Sequence, residues 1–96
     1  MRGRLAAAIG CAAIAVASAA SAEPPAGAAA CSGCHAVSPH VTTPVPRLAG
    51  RDRADIVKAM QEFRAGTRPA TVMDRIARGF TDPEILAIAA WYASRR

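Results

Sequence analysis

Cys31-Ser32-Gly33-Cys34-His35 is the stretch from which the rest of the chain can be read. Two thiols sit two residues apart, with an imidazole directly after the second. That spacing has a chemical reason: the thiols add to the two vinyl groups of haem as thioethers, and the adjacent histidine is carried under the iron as its proximal ligand. Three other readings fit the same residues less well. A disulfide between Cys31 and Cys34 would close a loop too short to restrict the unfolded chain much. A thioredoxin-type redox pair needs a βαβ setting, which this chain lacks. A zinc site from Cys31, Cys34, His35 and His40 would crowd four ligands into ten residues, against the wider spacing of known zinc pairs.

Upstream of the motif the composition changes. Arg2 and Arg4 make a short positive start, Leu5 to Ala17 is apolar apart from Gly10, and the small residues that follow end in Ala20-Ser21-Ala22. This is the pattern of a secretory signal peptide over residues 1–22, cleaved after Ala22, with a domain over 23–96. The apolar run is shorter than the roughly 20 residues a spanning helix needs, which weighs against a retained membrane anchor. Cys11 raises a lipoprotein reading, but Ala8-Ile9-Gly10 before it is a poor context for one. The expected location is the periplasm, with no membrane attachment after cleavage.

The 96 residues carry a formal charge of +5; without Arg2 and Arg4, ten basic residues face seven acidic ones, about +3. The basic residues are scattered and almost without interleaved aromatics, so nucleic-acid binding is a weak reading. A mild positive surface fits a bland solvated face better than one that steers an acidic redox partner. A helical chain this short has a small core and needs a staple. With Phe63, Phe80, Trp91 and Tyr92 as its only aromatics, something other than large side chains, such as a disulfide, a metal or a cofactor, must supply the interior.

Downstream, periodicity gives helices and no strand. A short Ala-rich helix is expected from near Pro25 into the motif. Pro39, Pro44 and Pro46 make residues 36–49 a loop. Asp52 opens a helix with Asp55 as its acidic capping partner, and Ile56, Met60 and Phe63 mark one apolar face as far as Gly66. Residues 67–79 read as a loop containing Met73, with one helical turn near Asp74 to Arg78. Thr81 opens the last helix, with Glu84 in the reciprocal capping position and Pro83 in the tolerant first turn. Its buried face is Ile85, Ile88, Ala89 and Tyr92.

The sixth iron ligand separates a carrier from an enzyme, since a protein ligand there closes the metal to small molecules. Met73, in a proline-containing loop, is the candidate. Met60 lies on a helix stripe where methionine usually fills core space. His40, five residues past His35, would have to reach around the haem edge.

The haem motif, Val45-Pro46-Arg47-Leu48-Ala49-Gly50, Met73 and Thr81-Asp82-Pro83-Glu84-Ile85 together resemble the small bacterial class I cytochromes c. The stretch from Phe63 to Phe80 is similar to that of the cytochrome subunit of flavocytochrome c sulfide dehydrogenase. The resemblance implies an all-α class I cytochrome c fold, three to four short helices around one covalent haem c. It implies Met73 as axial ligand with His35, and Pro46 as the residue whose carbonyl accepts the His35 Nδ1 proton. It places the last helix across the first, with Trp91 and Tyr92 near the contact, and offers Arg47 or Arg51 to a haem propionate. Ala36 departs from the glycine often found after the histidine, and a single motif implies one haem where several sulfide-oxidising relatives carry two. The implied function is periplasmic electron transfer, from an FAD-containing sulfide dehydrogenase subunit. The alternatives are a free shuttle between a quinol-oxidising complex and a terminal oxidase, or a haem enzyme or gas binder with an open sixth position.

Overall fold

The computed structural model describes residues 2–15 and 23–95. The expected cleavage site at Ala20-Ser21-Ala22 lies outside the described residues. Residues 2–15 form neither helix nor strand and are exposed, Leu5, Ile9 and Ile14 almost completely. Among the described residues no helix is long and apolar enough to cross a membrane.

Four helices follow in chain order: α1 (Ala28–Cys31), α2 (Arg53–Ala65), α3 (Met73–Ala77) and α4 (Asp82–Ala93). No strand occurs among the described residues. Each boundary has a local cause. The Asp52 carboxylate accepts from the Ala54 N–H at 2.8 Å and starts α2. Gly66, left-handed at φ 75°, ends it, its N–H reaching the carbonyls of Glu62 and Phe63. Thr81 and Glu84 form the reciprocal capping box at the start of α4, with proline in its first turn.

Three expectations need correction. The first helix starts at Ala28 rather than near Pro25, because Gly27 has φ 85°. A left-handed residue cannot continue a helix, and the chain arrives there through a turn in which Ala28 N–H donates to Pro25 O. Met73 opens α3 instead of lying in the loop before it. Asp52 caps α2 through Ala54, while Asp55 adds its charge in the first turn.

The small core forms where α1, α2 and α4 meet. Ala28, Ile56, Ile88, Ala89 and Tyr92 are buried together, with Cys31, Leu48, Val57, Phe80 and Trp91 packed against them. The expected buried face of α4 is the observed one. Tyr92 is the key tie between the chain ends: its hydroxyl donates to the carbonyl of Ala28. Gly27 is required by space as well as by φ, since a Cβ there would lie 2.5 Å from the Phe80 ring. The loop before α2 docks on the end of α4, where Gly50 N–H donates to Tyr92 O at 2.9 Å. That contact fixes the segment bearing Pro46 relative to α1.

Candidate metal centre

α1 is one turn long, and its task is to deliver the motif. The N–H of His35 donates to the Cys31 carbonyl at 2.8 Å, and that of Cys34 to the same carbonyl at 3.2 Å. The backbone therefore curls so that Cys31, Cys34 and His35 all border one large cavity. Both cysteines are free thiols. Cys31 is half-buried against the core, and burial pushes its thiol above the usual value, a backbone hydrogen bond offsetting part of the rise. Cys34 is exposed at the rim.

His35 Nδ1 lies 2.5 Å from the carbonyl oxygen of Pro46. A carbonyl only accepts, so Nδ1 carries the proton and the lone pair is on Nε2. The ring thus has one nitrogen held by the backbone and the other available to a metal. The acceptor is itself fixed: the turn Leu48 to Arg51 closes with a 3.1 Å hydrogen bond, and Gly50 is tied to α4.

The cavity measures about 880 Å³, near the upper end of the roughly 300–1,000 Å³ usual for small-molecule pockets. Its lining is overwhelmingly apolar, with residues from all four helices and the three segments that connect them. Met73 borders it, and so does Met60 from α2. The expected site residues Cys31, Cys34, His35, Pro46 and Met73 are therefore brought to one cavity. His40 is exposed and is not part of the cavity lining.

Charged groups at the cavity are few. Arg51 borders it, with its Nε donating to Arg47 O at 2.8 Å, while Arg47 points its own Nε at Val37 O, 3.2 Å away. Of the two expected propionate partners, only Arg51 borders the cavity. Sequence reasoning missed Arg68 and Asp55, which border it as well. Their signal was weak, because exposed charges in a loop and a first helical turn ordinarily face solvent.

Comparison with known proteins agrees with this geometry. The chain is 34% identical over 64 residues, 67% of its length, to the cytochrome subunit of sulfide dehydrogenase from Chlorobaculum tepidum. It is 35% identical over 65 residues, 68% of its length, to cytochrome c-552 of Acidithiobacillus ferridurans. It is 30% identical over 70 residues, 72% of its length, to cytochrome c4 of Pseudomonas aeruginosa. The chain belongs to the c-type cytochromes. These matches span 58%, 28% and 35% of the relatives' own lengths, so the cytochrome covers less than two thirds of each. No family model matches it.

The cytochrome has the all-α class I fold, and its cofactor is haem c, bound covalently. The residues present fit that group. Two free thiols, an imidazole with Nε2 unengaged and two methionine sulfurs surround an apolar cavity that the small core leaves open. A large, flat, mostly apolar cofactor would complete the interior that the few aromatics leave unfilled.

Proposed function

We propose that this cytochrome is a periplasmic electron carrier with one His/Met-ligated haem. The observation that carries the proposal is the convergence of Cys31, Cys34, His35 and Met73 on a single apolar cavity, with His35 Nδ1 already held by Pro46. When bound, haem c supplies one-electron exchange between ferric and ferrous iron.

The chain's own residues would do the rest. Cys31 and Cys34 would hold the group as thioethers, each thiol giving its hydrogen to a vinyl carbon as its sulfur bonds to the neighbouring carbon. His35 Nε2 and Met73 Sδ would be the protein's ligands to the iron. Pro46 O would keep the His35 ring oriented and raise its basicity through the Nδ1 proton. A methionine ligand raises the potential and keeps small molecules off the iron. Ile56, Phe63, Phe80 and Ile85 would exclude water from the interior, so little solvent reorganises with the change of charge. Arg51 would meet a propionate at the rim. No substrate binds the metal in this scheme, so the cytochrome acts as a relay and not as an enzyme by itself.

Residues 1–22 act as a secretory signal in this proposal, and 23–96 are the mono-haem domain. The likeness to a sulfide dehydrogenase cytochrome subunit supports an FAD-containing sulfide-oxidising protein as the electron donor. The test is stopped-flow reduction of the purified, exported holoprotein. Sulfide plus such a flavoprotein should reduce the haem much faster than sulfide alone. Equal rates with and without the flavoprotein would contradict this donor and favour a free shuttle, which a quinol-oxidising complex should then reduce.

A further inference from the structure

Glu62 and Arg64, from a single turn of α2, hold the two ends of the segment that carries Met73. At the near end, Glu62 Oε2 accepts from Arg68 Nε at 2.9 Å and lies 2.8 Å from Arg68 Nη2. The Glu62 carbonyl accepts from the Thr67 N–H at 3.0 Å and from its hydroxyl at 3.3 Å. The Arg68 guanidinium also lies 5.5 Å over the Phe63 ring. At the far end, Arg64 Nη1 pairs with Asp82 Oδ1 at 2.6 Å, and Nη2 donates to Phe80 O at 3.2 Å.

The two ends differ in how else they are held. Near the far end Ala77 is fully buried and Phe80 packs on the core. Near Met73 no side chain is buried: Pro69, Ala70, Thr71, Val72 and Ile76 face the cavity, and Val72 and Ile76 are 53% and 42% exposed. Besides the Thr67 hydrogen bonds to the Glu62 carbonyl and the packing of α3 on α2, the Glu62–Arg68 contact, with the stacking on Phe63, ties the stretch leading into Met73 back to α2.

We propose that the Glu62–Arg68 ion pair is a latch that positions Met73 and sets how readily an outside ligand displaces it from the iron. The inference rests on the reading of Met73 as an axial ligand. Opening the latch frees the approach to α3 without touching the core, so the Met73-off population rises while the fold persists. Both partners are partly exposed, 42% and 30%, so the latch is modest in strength and weakened by salt. Lys58, 3.8 Å from the other Glu62 oxygen, is largely exposed and plays no part in it.

The test is imidazole titration of the ferric holoprotein, wild type against Glu62→Gln, Arg68→Gln and the double variant, at low and high salt. The sulfur-to-iron charge-transfer band and the thermal midpoint are recorded for each. Each single variant should bind imidazole about threefold to fivefold tighter at low salt, the range open to a partly exposed pair. The double variant should bind no tighter than the singles, and high salt should narrow the gap to wild type. Lys58→Gln should stay within twofold of wild type. Shifts below twofold, additive effects in the double variant, or an equal effect of Lys58→Gln would overturn the latch. A wild-type charge-transfer band that Met73→Ala removes, with no response to Glu62→Gln or Arg68→Gln, would sink the latch alone. A wild type without that band would sink the Met73 reading, and the latch with it.

Discussion

The two walls of the haem cavity are built by different means. The wall bearing Cys31, Cys34 and His35 stands on buried packing: α1 rests on α4 through Ala28, Ile88 and Ala89, and Tyr92 joins the chain ends. The wall bearing Met73 packs on α2 through α3 and is tied to it by partly exposed charge as well, through Arg68–Glu62 at one end and Arg64 with Asp82 and Phe80 O at the other. Apolar packing survives salt and changes little with pH, whereas partly exposed ion pairs are screened. The contrast suits the proposed ligands. Under the proposal the thioethers and His35 would stay in place, while Met73 would be the ligand that exchanges.

The comparison breaks most readily at its packed side. Ile88→Ala should cost about 2–5 kcal/mol, the usual cost of emptying a buried aliphatic site, measured by denaturant unfolding of the holoprotein. A loss well under 1 kcal/mol would mean that α1 and α4 do not depend on this packing. Gly27→Ala should cost about 2–4 kcal/mol, combining a left-handed backbone with an added Cβ 2.5 Å from Phe80. Relief of that loss by Phe80→Leu would identify the clash as its source.

Tyr92→Phe should cost about 1–3 kcal/mol by leaving the Ala28 carbonyl unsatisfied. Burial raises the Tyr92 phenol above its usual range. Its stabilisation is therefore complete below the ordinary tyrosine range and fades as pH climbs through the raised value. The difference between wild type and Tyr92→Phe should shrink in alkali, and a constant difference would contradict the assignment.

Those residues also show where sequence alone sufficed. The α4 capping box and its buried face follow from Thr81, Glu84 and a 3.6-residue period, because both are local in the chain. The haem motif is local too. What stayed hidden depended on the chain turning back on itself. Gly27 reads like any small residue in an Ala-rich run until its φ and its contact with Phe80 are known. Arg68 is six residues from Glu62, outside helical pairing distance, and meets it only because Gly66 ends α2 in a left-handed turn. Arg47 and Arg51 look alike in sequence, yet only Arg51 reaches the cavity.

At the smaller end, Thr81→Ala should cost about 1 kcal/mol through loss of the α4 cap. Hydrogen bonds from the Thr81 backbone N–H, and then from its hydroxyl, hold the Glu84 carboxyl below the usual glutamate range. Its contribution is present above that range and is lost as pH falls through the depressed value. Thermal melts of wild type and Glu84→Gln should therefore converge in acid. A gap that persists there would show that the box does not act through the charge.

The central claim, one c-type haem closed by His35 and Met73, is tested most directly by absorption spectra of the exported wild type and Met73→Ala. The account predicts a c-type pyridine haemochrome in both proteins. It also predicts a weak long-wavelength sulfur-to-iron band in the ferric wild type that is absent from Met73→Ala, where carbon monoxide binds the reduced form at neutral pH. A wild type without the band that binds carbon monoxide would contradict the account and return the open-site enzyme reading.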